Sequence, residues 1–232
     1  VTARRGRPHT KLFREERERP VWLVADLHPG LFFGTRRQFK SAVLVRAAAL
    51  LAWVAAQGGD RVGAVIADGA GLPQVLPPRG REAGVLPILE ALLAAQPRAP
   101  GIPANGGLPA AARMLRPLLK PGSLVLLLSD FAALDQAAED ILAVAAAHSE
   151  LRLLWITDPL ESAGLPAGNY RVGLPGRLWW LDGERSHAPW RQTWQAREQR
   201  LRELATRLSL PLNRLATDED VLETLVALLK EP

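Results

Sequence analysis

A three-layer α/β fold, a mostly parallel sheet covered by helices on both faces, is what this sequence predicts. Three observations carry that expectation. From residue 21 onward, apolar strand-like runs alternate with helical patterns, the order that parallel strands joined by crossover helices require. The runs are almost continuously apolar, as strands buried on both faces must be; a one-sided antiparallel sheet would alternate instead. Two of them end in acid, Val21-Trp-Leu-Val-Ala-Asp26 and Leu124-Val-Leu-Leu-Leu-Ser129-Asp130. Open parallel sheets bind their ligands just past the carboxyl ends of their strands, so these acids are the first candidates for any site.

The strands are expected at Val21–Leu27, Arg61–Ala67, Ser123–Ser129 and Leu151–Thr157, with a shorter one at Leu212–Ala216. Thr35 and Gln38 have the spacing of a capping box, which predicts a first helix from Thr35 to Gln57. Alanines make it apolar almost all round, the mark of a deeply packed helix, and Gly58-Gly59 closes it. Residues 73–78 carry three prolines and fit only an edge strand. Residues 97–109 are rich in proline and glycine and are expected as a loop leading into a helix at Ala110–Leu119. Another helix, about Leu134–His148, separates the Asp130 strand from the Leu151 strand. Pro175-Gly176 between Asn169–Leu174 and Arg177–Leu181 predicts a β-hairpin. A long charged helix, about Trp190–Leu208, follows, and Thr217 is the expected cap of a last helix, Asp218–Lys230.

At 232 residues, 48% hydrophobic and 23% charged, the chain suits one large domain. Residues 20–232 are assigned to it, with the hairpin and long helix at about 169–209 as an appendage. Residues 1–19 form a basic arm whose seven cations and three acids supply +4 of the net +5. Such an arm suits a phosphate or an acidic surface, or is simply a solvated lead-in. There is no cysteine, which removes disulfides, thiolate nucleophiles and the usual structural zinc sites, and agrees with a cytoplasmic location. The longest apolar stretch, Ala47 to Ala56, is about half of what a bilayer span needs, so no membrane segment is expected within this chain.

Several blocks recur in an order that resembles a known family. They are Phe13-Arg-Glu-Glu-Arg-Glu-Arg-Pro-Val-Trp-Leu-Val-Ala-Asp26-Leu27, Phe39-Lys-Ser, Gly59-Asp-Arg-Val-Gly63, Pro121-Gly-Ser-Leu-Val-Leu-Leu-Leu-Ser-Asp-Phe131 and Asp158-Pro-Leu-Glu161. Together they resemble the bacterial family known as domain of unknown function 58. The resemblance implies a von Willebrand factor A-like fold, a MoxR-type AAA+ ATPase or its client as partner, and sequence upstream of the arm. In metal-binding A domains the first loop reads Asp-x-Ser-x-Ser, a second loop gives a threonine, and an aspartate follows the fourth main strand. Asp26 and Asp130 match the two acids. His28 and Gly30 replace the serines, and the second loop reads Asn105-Gly106-Gly107-Leu108. The resemblance therefore implies a degenerate metal-ion-dependent adhesion site.

Magnesium demands near-octahedral oxygen ligation, and beyond Asp26 and Asp130 that ligation would have to come from Ser129, water or a partner. Asp26, His28 and Asp130 would otherwise make a trio for a softer metal. Without any ion, the aspartates would cap loop amides and His28 would shape the turn. No resident cofactor is expected. The binding edge comprises Asp26, His28, Gly30, Gly107, Ser129 and Asp130.

Seven tryptophans set against one tyrosine are the other anomaly. Trp179 and Trp180 are adjacent on a strand and face opposite ways, so one of them is a candidate anchor for a partner. Trp190 and Trp194 are expected to pack hairpin on helix, and Arg191 beside them is a further partner-surface candidate. P-loop, GxGxxG, HExxH and nucleophile-elbow patterns are all absent, and the expectation is a non-enzymatic interaction module. The alternatives are an enzyme using Asp26 as base or nucleophile with a metal, and nucleic-acid binding through the arginine-rich arm.

Overall fold

The computed structural model describes residues 19–102, 107–174 and 176–230. The expected arm lies outside these residues except for Arg19, which donates to Glu150 at 2.9 Å and holds the chain's entry to the sheet. Eight strands are described: β1 (Pro20–Asp26), β2 (Arg61–Ala67), β3 (Gln74–Gly80), β4 (Leu124–Ser129), β5 (Glu150–Thr157), β6 (Asn169–Leu174), β7 (Arg177–Asp182) and β8 (Leu212–Ala216). The helices are α1 (Lys40–Gln57), α2 (Glu82–Ala95), α3 (Gly107–Leu115), α4 (Gln136–His148), α5 (Pro159–Ala163), α6 (Gly183–Arg207) and α7 (Val221–Lys230). The central sheet runs β3-β2-β1-β4-β5-β8, with only the proline-bearing edge strand β3 antiparallel.

That order positions the site. The chain steps outward from β1 to β2 and β3, then returns across to β4 on the other side of β1. The carboxyl ends of β1 and β4 are therefore the point where crossover direction reverses, and a crevice opens there. Asp26 ends β1 and Asp130 follows β4. One core layer joins the sheet to α1, α2 and α7 through residues such as Leu23, Val43, Ile88 and Leu225. The opposite layer joins it to α3, α4 and α6 through Val24, Leu108, Leu142 and Leu201.

The fold departs from the sequence expectations at several helix ends. α1 begins at Lys40, five residues later than Thr35, with Phe39 at its N-cap and no side chain capping it. Thr35 is used elsewhere: its amide and hydroxyl both donate to Asp158. Gly59, at φ 89°, takes the left-handed position after the helix, while Gly58 is still right-handed. α2 was not expected from the sequence. Pro87 lies inside it, yet Val85, Ile88 and Leu92 are buried and hold it to the core. The helix expected at Ala110–Leu119 starts at Gly107 and ends in a short 3-10 turn, Arg116–Leu118. α6 starts seven residues before Trp190, because Asp182 caps the amide of Arg185. α7 is capped by Asp220, not Thr217, whose hydroxyl donates instead to Asp158.

α1 is the one helix among the described residues that is long and apolar enough to span a membrane by length and composition. Here it is a core helix, with Val43, Leu44, Ala47 and Ala48 fully buried.

Candidate functional site

The carboxyl ends of β1 and β4 bring Asp26, His28, Ser129 and Asp130 together, all buried. Ser129 Oγ donates to Asp26 Oδ2 at 2.7 Å and accepts the Phe131 amide at 2.8 Å. Asp130 Oδ1 accepts the Ala132 amide at 2.9 Å, and its carbonyl accepts the Trp155 indole at 3.2 Å. Phe131 between them adopts φ 54°, an uncommon conformation for a bulky residue, which turns the chain sharply after the strand. The loop after β4 is thus fixed from several sides.

His28 is held by both ring nitrogens. Its Nδ1 accepts the Gly30 amide at 3.1 Å, so the proton sits on Nε2, which donates to Asp130 Oδ1 at 3.2 Å. Burial alone would lower its pKa, but the bond and charge of Asp130 outweigh that and raise it above 6.5.

Sequence reasoning missed the residue that organises this cluster. Lys40, at the first turn of α1, is 1% exposed, and its Nζ donates to Asp130 Oδ2 at 2.7 Å and to Glu161 Oε1 at 2.9 Å. A signal existed: the first turn of α1 has no acid, and a lysine at the positive end of a helix dipole is unfavourable without a tertiary partner. Burial works against the Lys40 charge, yet Asp130 and Glu161 hold its pKa above the ordinary value. Burial likewise penalises Asp130, but Lys40 and His28 keep it ionised, well below the usual carboxylate range. Glu161 is itself pinned, because its other oxygen accepts the Asp158 amide in the capping box of α5.

Asp26 is different. Burial dominates and pushes its pKa up to about 6, against the charge of His28 and the Ser129 hydroxyl. Its Oδ1 has no hydrogen-bond partner among the described residues, and a Cβ built on Gly107 would lie 2.1 Å from it. Gly107 therefore touches the site, while the other members of the expected second loop, residues 103–106, lie outside the described residues. Gly107→Ala should force Asp26 aside and cost about 1–3 kcal/mol, read as a lowered urea midpoint.

A raised carboxyl pKa means that the protonated form favours folding. The associated stability is complete below 3.8 and is lost as pH rises through about 6. Asp26→Asn, a mimic of the protonated form, should therefore stabilise the chain by roughly 3 kcal/mol in alkaline buffer, with the gain vanishing in acid. Urea unfolding of both proteins across that range measures it.

Ligand atoms of Asp26, His28 and Asp130 lie within 4.8 Å of one another, the grouping of a possible metal site. The donor set does not fit magnesium. Two carboxylates and an imidazole are not an oxygen cage, and His28 could ligate through Nε2 only by giving up its proton to Asp130 or breaking its bond to Gly30. Lys40 already occupies the second oxygen of Asp130.

Beside the cluster a cleft of about 720 Å³ is lined by His28, Lys40, Asp130, Glu161, Phe33 and Trp190, with Gly30 and Ile102 at its rim. α6 forms its far wall. Trp194 stacks on Trp155 at 4.9 Å, and the Trp190 indole donates to the Glu161 carbonyl at 3.0 Å, so both tryptophans pack. The hairpin does not bury its pair: Trp179 is 41% and Trp180 76% exposed, where one exposed ring was expected, and Arg177 lies over Trp179. Arg191 is exposed on α6 without an ion pair among the described residues, whereas Arg197, Arg200, Arg202 and Arg207 are paired with Glu161, Glu139, Glu198 and Glu139. The basic face of that helix is thus largely neutralised.

A family model described as protein of unknown function DUF58 matches residues 1–204. Uncharacterized protein Rv1480 of Mycobacterium tuberculosis is 33% identical over 162 residues, covering 69% of this chain and 50% of that protein. Uncharacterized protein Mb1516 of Mycobacterium bovis matches to the same extent. The chain therefore spans about half the length of these relatives. Among solved structures, the conserved hypothetical protein BatB from Bacteroides thetaiotaomicron has a TM-score of 0.58 at 13% identity, covering 90% of this chain and 95% of that one. An aerotolerance-related membrane protein from Bacteroides fragilis, crystallised with multiple mutations to serines, also scores 0.58 at 13% identity, covering 92% and 98%. These likenesses establish the fold as von Willebrand factor A-like. By its sequence match over residues 1–204, the chain belongs to the DUF58 family.

Proposed function

We propose that the chain is a non-enzymatic docking module that engages a MoxR-type AAA+ ATPase, or a client of one, through the carboxyl edge of its sheet. The observation that carries this reading is the form of the edge: an open cleft with apolar walls stands over an ion cluster whose charged groups are already bonded to one another. A partner can be held there by shape and polar contact. Chemistry is poorly served, because Asp26 is wholly buried and its one oxygen without a bond among the described residues lies against Gly107. In this reading the site is a degenerate metal-ion-dependent adhesion site, ATP hydrolysis belongs to the partner, and docking takes place on the cytoplasmic side.

The test is capture of the purified ATPase encoded nearest to this gene. Wild type should retain it, and Ile102→Asp, at a residue 77% exposed on the cleft rim, should lose it. Trp180→Ser on the exposed hairpin should retain it. Failure of wild type to capture the ATPase, or phosphoester hydrolysis by the isolated chain that Asp26→Asn abolishes, would overturn the reading.

A further inference from the structure

Cations at the ends of exposed helices are commonplace, but Lys40 is placed as a metal ion would be. It is 1% exposed and reaches from α1 to two carboxylates on different elements, Asp130 after β4 and Glu161 on α5. On the other side of Asp130, His28 donates to the oxygen that Lys40 leaves free. With the Ala132 amide, three donors thus engage both oxygens of one buried carboxylate that, together with Asp26, would otherwise be the anionic half of an ion site. An ammonium group has three donors, of which two are bonded within the cluster, and Lys40 lines the cleft.

We infer that the Lys40 ammonium is the built-in cation of this site. It clamps β4 to α5 in place of a divalent ion, and its remaining N–H faces an oxygen acceptor, a carboxylate or a carbonyl, of whatever enters the cleft. A fixed ammonium and a bound divalent ion exclude each other here, because both require the same Asp130 carboxylate and their charges repel at contact distance. The site is therefore metal-free by construction. This holds whether or not an AAA+ ATPase is the partner, since it concerns only the chain's own charges.

The experiment is a manganese titration of the chain at neutral pH, read by calorimetry and by the electron paramagnetic resonance signal of free ion, with thermal unfolding in chelator and in manganese alongside. Wild type should bind no stoichiometric ion up to about 1 mM, the weak end of protein cation sites, and should unfold at the same temperature in both buffers. Lys40→Gln and Lys40→Met should each gain one site at least tenfold tighter than any wild-type binding, and manganese should raise their unfolding temperature. Adding Asp130→Asn should abolish the gain. One equivalent of manganese bound by wild type and lost in Asp130→Asn would overturn the inference, and so would folded Lys40 variants that gain no ion. If both variants fail to fold even in manganese, the ammonium is not replaceable by an ion and the inference falls on that ground.

Discussion

Lys40→Met is expected to destabilise the folded chain by about 3–5 kcal/mol at neutral pH, the usual cost of removing one partner from a buried ion pair. Methionine keeps most of the stem's volume, so the loss measures charge rather than packing. What remains after the substitution is Asp130, 3% exposed, with only His28 and the Ala132 amide to meet its charge, and a Glu161 oxygen left with the longer Arg197 contact at 3.5 Å. The pH dependence has a definite sign. Lys40 contributes to holding the folded pKa of Asp130 below 3.8, so this stability is present above 3.8 and disappears as pH falls through the folded value. The difference between wild type and variant should therefore be largest at neutral pH and shrink in acid. Adding Asp130→Asn should return part of the loss, because a neutral amide no longer needs the ammonium, and the double-mutant cycle gives the coupling directly. Urea unfolding of the four proteins at two pH values is sufficient. A loss under about 1 kcal/mol would mean that water reaches the cluster and that the pair is worth no more than a surface bridge.

How much of this was legible in the chain depended on whether a residue's partner is near in sequence. The central parallel strands announced themselves because burial on both faces leaves few polar positions, and the edge strand Leu212–Ala216, with Arg214 exposed, was recognisable even though short. Asp26, His28, Ser129 and Asp130 were legible as a site because the place they occupy, the end of an apolar run, is local information. The start of α1 was not. Thr35 and Gln38 have the spacing of a cap, but an acid 123 residues away takes the Thr35 amide and hydroxyl, and the helix begins where Lys40 can reach its carboxylates. Thr217 failed as a cap for the same reason. Lys40 lay inside one of the blocks that carry the family likeness, yet its role depends on Asp130 and Glu161, 90 and 121 residues away, which no periodicity encodes. Residues 82–95 were assigned no element from the sequence; α2 forms there with Pro87 inside it because burial of Val85, Ile88 and Leu92 outweighs one lost helix bond.

Asp158→Ala should be about as costly as loss of Lys40, roughly 4 kcal/mol, although Asp158 makes no salt bridge among the described residues. Its two oxygens accept four hydrogen bonds: Oδ1 takes the Thr35 hydroxyl at 2.6 Å and the Leu160 amide at 2.9 Å, and Oδ2 takes the Thr35 amide at 2.9 Å and the Thr217 hydroxyl. One buried side chain thereby ties the end of β5 to the segment before α1 and to the segment after β8. Alanine would strand donors from all three. Asparagine should rescue little, since its amide nitrogen would meet two donors wherever it is placed and could replace only half of the acceptor capacity. The bonds outweigh burial and hold the Asp158 pKa below 3.8, so this contribution too is present above 3.8 and is lost in acid. The effect should also spread to the cleft, because Glu161 grips the Asp158 amide with one oxygen and Lys40 with the other. Hydrogen exchange should therefore show faster opening at the amides of α5 and of the first turn of α1 in Asp158→Asn, while those of β2 stay protected. If only α5 loosened, the link from Asp158 to the Lys40 clamp would be wrong, and the two parts of the edge would be independent.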